Sequence, residues 1–299
     1  MAISKAAGYT NLPSGNFLPA IYSQKVQKFF RTASVVEDIT NTDYAGEIEA
    51  YGDTVNIIKE PTITVSSYTR GAQIAPQNLA DDQIQMVVDQ ANAFAFKVDD
   101  IEERQSHVNF EALATSSGAY ALKDSYDENV IAAMVSGAGT TIGSDGSGTD
   151  TGFGSSETDP LEIMANASKR LNGADVPFES RWFLASPEFY EALASSSSKL
   201  LDASVTGDSA SPLRNGRVMD GIIQGFKCYM TNNFAAASTS NYHKVLFGHM
   251  SSTATANAIA KTEVIRDPDS FGDIVRGLHV FGRKVLRSEA LMVRHLLID

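Results

Sequence analysis

The chain has 299 residues, 43% of them hydrophobic, and its 24 basic and 36 acidic side chains leave a formal charge of −12. That length and apolar content suffice for about two domains with real cores, and the acidic balance excludes a protein whose main work is gripping a phosphate backbone. Cys228 stands alone, which excludes an intrachain disulfide and a cysteine zinc cluster, and in its apolar run it reads as a small core hydrophobe.

The first residues lack an apolar signal region, and no apolar run is long enough to span a bilayer, so the chain is expected to be cytosolic when made. Residues 1–20 carry Pro13, Gly15 and Pro19 as breakers and read as an extended arm. Ile21, Val26, Phe29 and Phe30 give residues 20–31 a partial apolar helical face. Residues 35–39, Val-Val-Glu-Asp-Ile, read as a short strand.

Val55 and Ile57 alternate with polar neighbours, Pro61 interrupts, and Ile63 and Val65 alternate again. A polar stretch from Tyr68 to Asp82, with Gly71 and Pro76, precedes Ile84, Met86 and Val88 on one strand face and Phe94, Phe96 and Val98 further along. This predicts a long two-stranded ribbon with an open tip. Such a ribbon is marginal alone in water, so it should be mobile unless another domain or subunit covers it.

Beyond the acidic joint Asp99-Asp100-Ile101-Glu102-Glu103 the period changes. Ala119, Leu122, Tyr126, Val130 and Ala133 fall three or four apart, giving a helix of about 27 residues, roughly 40 Å long. Asn109 can cap it, Glu111 suits its first turn, and Gly137 can stop it, while Gly118 inside it should cost about 1 kcal/mol relative to Ala. Residues 137–159, rich in Gly, Ser, Thr and Asp, read as a flexible loop or junction. Then come helical spacing from Pro160 to Leu171, a strand over 181–185, a helix start at Ser186-Pro187, a second Ser-rich loop over 195–212, and strands over 221–230 and 244–247. The chain closes with a second ribbon, 261–266 and 274–286 around an Asp267–Asp273 turn, and a last strand over 290–298. Mixed helices and strands without a regular repeat suggest α+β.

The search for chemistry yields nothing specific. His107, His243, His249, His279 and His295 have no metal-ligand spacing, so no metal and no cofactor is expected. The Gly137–Gly143 run has its third glycine misplaced for a dinucleotide loop, and the Ser196–Lys199 spacing sits in a Ser-rich loop without companion motifs. The carboxylates from Asp99 to Glu103 could hold a cation or act as acid and base, but a solvated helix start or an intersubunit salt-bridge site is the plainer reading. The chain is not expected to be an enzyme.

The order of elements, however, resembles the major capsid protein family of tailed bacteriophages, with the Hong-Kong-phage capsid fold. The likeness is carried by Gly52-Asp53-Thr54-Val55, Tyr68-Thr69-Arg70-Gly71, Val88 through Ile101, Ala119-Tyr120-Ala121-Leu122, Met230-Thr231-Asn232-Asn233, and Arg266-Asp267-Pro268 through Arg276-Gly277-Leu278. The resemblance implies an N-terminal arm over residues 1–50, an extended loop over 51–98, a peripheral domain with the spine helix over 99–149, an axial domain over 150–250, and a return to the peripheral domain over 251–299. It further implies self-assembly of hexamers and pentamers into an icosahedral shell around double-stranded DNA, without specific DNA binding, in a host bacterial cytoplasm. A separate scaffolding protein, a portal and a decoration protein are the expected partners, and no membrane is. Arg70, Asp81, Asp82, Glu102, Glu103 and Arg104 are the expected intersubunit ion-pair residues. An encapsulin-type shell and, from another class, a carboxylate-dependent hydrolase are the alternatives.

Overall fold

The computed structural model describes residues 34–44, 54–61, 63–71, 73, 76–78, 83–99, 110–152, 157–194, 222–235, 241–268 and 270–298. The expected helix over 20–31, the cap at Asn109 and the Ser-rich loop over 195–212 lie outside them, as does most of the arm.

The described chain opens with α1, Val36–Ile39, a single helical turn where β-branched Val35 and Val36 predict a strand. The turn forms because its surroundings satisfy it. Thr40 donates through Oγ1 to the Val36 carbonyl at 2.8 Å, and the Val35 amide is taken by Asp127 at 3.3 Å. Asn41 then runs beside the start of β10 (Thr253–Arg266), its amide donating to the Thr253 carbonyl at 2.9 Å.

Strands β1 (Thr54–Ile58) and β2 (Gln83–Val87) pair antiparallel, Ile57 opposite Ile84. The stretch holding Ile63 and Val65, expected as strand, is irregular among the described residues. Strand β3 (Gln90–Asp99) leaves this ribbon and pairs with β11 (Gly272–Val285), whose other edge pairs with β10. The closing ribbon is therefore a three-stranded sheet. The root of the extended ribbon is covered within the chain, because Val55, Met86 and Val88 pack on Ala254, Ala256 and Val280.

Helix α2 spans Phe110–Gly137, 28 residues, close to the length its spacing predicts. Among its described side chains the buried ones, Tyr126, Asp127, Val130, Ile131 and Met134, lie in the second half, while Ala119 at the start of the expected stripe is exposed. Past it, the polar stretch expected as loop contains two short strands, β4 (Thr140–Ile142) and β5 (Thr149–Asp150), both parallel to β12 (Leu291–Leu297). Helix α3 (Pro160–Gly173) starts where the Asp159 carboxylate accepts from the Leu161 amide at 2.8 Å and Pro160 occupies the first turn. Strand β6 (Arg181–Ala185), helix α4 (Pro187–Ala194), the hairpin β7 (Ile222–Ile223) and β8 (Phe226–Met230), and β9 (Tyr242–His249) complete the unit.

The seven-stranded sheet runs β4-β12-β9-β6-β8-β7, with β5 also on β12. Its central strands β6 and β12 are buried on both faces, as their nearly unbroken burial shows, while the edge strands are partly exposed. Phe183, Phe247, Cys228 and Met292 face α3 and α4, whereas Trp182, Leu184, Leu246 and Val293 face the buried half of α2 and α1. The spine helix thus ties the two sheets together, with Tyr126 edge-on to Phe281 of β11 at 4.9 Å between ring centres.

Candidate assembly surfaces

Among the described residues, two surfaces stand out for the large apolar side chains they leave exposed. The first is the outer part of the extended ribbon, where Ile58, Ile63 and Tyr68 are mostly exposed and Val65 is 93% exposed. Gly71 turns this segment with φ +88°, a conformation glycine adopts without strain. The second is the far end of the closing ribbon, where Val264 and Ile265 are open to solvent and Phe271 is 79% exposed in the turn. Together they exceed the scattered exposed apolar residues that need no explanation.

The far end of the closing ribbon is also stiffened by charge. Glu263 pairs with Lys261 and takes two bonds from Arg276, at 2.7 Å and 3.1 Å, on the paired strand. These partners, Lys261 first, hold the Glu263 carboxyl at about 2, well below the ordinary carboxylate range. Lys97 of β3 reaches Asp267 at 2.5 Å and also bonds Ser270, and Arg266 meets Asp273 at 3.2 Å. Exposed pairs of this kind are screened by water, so they set the shape of the turn more than they stabilise the fold.

A third feature fixes the root of the arm. Ser34 donates through Oγ to Asp127 at 3.0 Å, and the Val35 amide takes the other carboxylate oxygen. Burial pushes the Asp127 carboxyl up to about 6, against the pull of those two bonds.

Of the expected ion-pair residues, Arg70 lies exposed at the ribbon turn beside Gly71. Asp81, Asp82, Glu102, Glu103 and Arg104 lie outside the described residues. Sequence reasoning passed over Phe271, read only as part of a turn, and the Glu263 cluster, whose i, i+2 spacing with Lys261 on one strand face was the available signal. Cys228 is buried, and burial pushes its thiol up to about 11, which suits an inert core residue. His279 stacks on Phe281 and His295 is buried, while His243 sits 3.2 Å from Glu188. Among the described residues there is no cluster of three or more metal-ligating side chains, and no helix is long and apolar enough to cross a membrane.

No family model and no curated protein matches the sequence. Solved structures do match. A chain of Mycobacterium phage Che8 is 29% identical, with 93% of this chain and 97% of that one covered at a TM-score of 0.76. The capsid of the cyanophage P-SCSP1u superposes at 0.76 over 98% of this chain and 97% of its own, at 16% identity. A virus-like particle from Pyrococcus furiosus shares the arrangement more distantly, at 0.53 and 15% identity over 88% of this chain and 92% of that one. The fold is therefore α+β. More narrowly, it is the fold of tailed-phage major capsid proteins, matched across nearly the whole chain.

Proposed function

We propose that this chain is a major capsid protein, a structural subunit whose copies close into an icosahedral shell of a tailed phage. One observation carries the reading: a chain folded like phage capsid chains leaves the outer parts of both ribbons apolar and uncovered. Covering a side chain such as Val65, Tyr68 or Phe271 contributes about 1.5–3 kcal/mol, which gives each copy a reason to accept another. The two patches differ in sequence and shape, so contacts between them are head-to-tail, and head-to-tail contacts repeat until the rotation closes. Summed over a lattice, individually weak contacts allow errors to dissociate early and hold firmly later.

The enclosed material on this reading is double-stranded DNA, held without specific binding inside a wall of net negative charge. A separate scaffolding protein and a portal are the partners that such assembly needs, and it proceeds in the host cytoplasm. The role requires no catalysis. The hydrolase alternative rests on the stretch from Asp99 to Glu103, of which only Asp99, at the end of β3, is described. The encapsulin alternative is disfavoured by the phage chains that superpose at TM-scores of 0.71 and 0.76.

Negative-stain microscopy of the expressed chain, with and without its scaffolding partner, tests the proposal. Closed shells or ring-shaped capsomers are expected. A single small species under both conditions would contradict it.

A further inference from the structure

Where α2 crosses the three-stranded sheet, a cleft of about 250 Å³ stands open. Its walls are Phe94 of β3, Ala119, Leu122 and Tyr126 of α2, and Leu278 and His279 of β11. An apolar cavity of about 150 Å³ already holds a benzene ring, so this one has room for a phenyl side chain. The charges on its rim are matched within the chain: Lys123 pairs with Glu37 at 3.2 Å, and Lys261 pairs with Glu263. Burial holds the His279 imidazole below its ordinary pKa, so at neutral pH that wall is an uncharged ring, stacked on Phe281 and edge-on to Tyr126. An aromatic group suits such an opening better than an ion does. Strand β10 also breaks register between Asn257 and Ile259 at the edge of the cleft, the kind of irregularity that shapes a strand for a contact.

The chain itself brings a ring to this place. Its described part starts at Ser34, which is tied to Asp127, the neighbour of Tyr126 on the cleft wall. Glu37, three residues beyond Ser34, stands on the rim. The residues just before Ser34 are therefore delivered to the mouth of the cleft. They read Lys28-Phe29-Phe30-Arg31-Thr32-Ala33, and Phe30 is four residues from Ser34, within about 14 Å of extended chain. A tether that short presents the ring at a roughly millimolar effective concentration, which favours it over a group that must arrive from solution. Charge acts in the same direction, since residues 1–36 hold four basic side chains and no acidic one in a chain of net charge −12.

We infer that this cleft is the docking site of the chain's own arm, filled by the ring of Phe30. Seated there, the ring covers part of the exposed half of the spine helix and sets the direction in which the rest of the arm leaves the subunit. The inference concerns a single subunit and does not rest on the shell-subunit reading.

The test uses the full-length chain with a benzophenone-bearing phenylalanine analogue at position 30, mixed with an excess of isotope-heavy chain that lacks it. Illumination should join position 30 to peptides holding residues 119–126 or 278–279 of the same, light chain. Adducts on heavy chains would assign the cleft to a second copy, and adducts elsewhere, or none, would leave the arm undocked; each overturns the inference. In parallel, trypsin should cut after Arg31 at least about tenfold faster in Phe30→Ala and in Ala119→Trp than in the wild type. Ala119→Trp fills the cleft from an exposed position on α2, leaves the arm's sequence untouched and should keep the melting temperature. Equal cleavage rates in the three proteins would overturn the inference.

Discussion

Phe94 of β3 lies edge-on against Gly118 of α2, so close that a Cβ at that glycine would sit 2.8 Å from the Cδ2 and Cε2 ring carbons. The opposite ring edge faces Gly277 of β11, where an added Cβ would come within 2.3 Å of Cε1. The ring is therefore flanked by glycine on both edges. Gly118 is a slot for an aromatic ring, although helix propensity alone marks it as a defect. Gly118→Ala should accordingly destabilise the subunit by about 1–3 kcal/mol, against the roughly 1 kcal/mol gain that propensity would give. Urea unfolding measures this. In the double variant with Phe94→Ala the sign should reverse, since the added methyl then has room.

Gly225 offers the opposite case. Its φ is +86° after Gln224 at +50°, the paired left-handed geometry of a tight β-hairpin turn, while a Cβ there would meet nothing closer than a Phe178 ring carbon at 4.0 Å. Space is available and backbone freedom is not. Gly225→Ala should cost about 1 kcal/mol with no change in packing, and Gly225→Asn should recover part of it, because Asn tolerates the left-handed region. Thermal melts of the three proteins compare them directly.

Asp127 makes the root of the arm sensitive to pH. Its folded-state pKa of about 6 lies above the ordinary aspartate value, so the folded state binds this proton more tightly than the unfolded state does. The stability that follows is present below about pH 4 and is lost as pH rises through about 6. The stability difference between wild type and Asp127→Ala should shrink by about 1–2 kcal/mol between pH 4.5 and pH 7.5, measured by urea unfolding at each pH. A difference that grows with pH would mean that the bonds from Ser34 and Val35 outweigh the burial of the carboxylate.

The outer ribbons should separate folding from assembly. Val65→Ser and Phe271→Ser remove apolar surface that the subunit itself does not bury. Each should leave the melting temperature of the isolated subunit within about 2 °C, since surface changes away from packed features stay within about 0.5 kcal/mol. Sedimentation should nevertheless show fewer closed particles, with the double variant most affected.

Much of this architecture is legible in the sequence where periodicity is sustained. The 28-residue spine helix, the alternation of β3 and the start of α3 at Pro160 all follow from local spacing and capping. The misses are places where distant partners decide. Val35 and Val36 favour a strand, yet the bonds from Asp127, 92 residues away along the chain, and from Thr40 make a helical turn. β4 and β5 lie in a Gly- and Ser-rich stretch and become strands only because β12 supplies their hydrogen-bond partners from the other end of the chain. The assembly surfaces were half visible. The exposed ribbon follows from its alternation and open tip, and the Asp267–Asp273 turn from its composition, but the exposure of Phe271 within that turn does not show in local spacing.

The central claim is that copies of the chain cover what one copy leaves bare. Hydrogen exchange at the amides of residues 59–60 and 63–71, compared between dissociated subunits and assembled particles, tests it most directly. The account predicts rapid exchange of the outer ribbon in the free subunit and protection of at least about tenfold in the particle. Equal protection in both, with the ribbon already shielded by its own subunit, would contradict it.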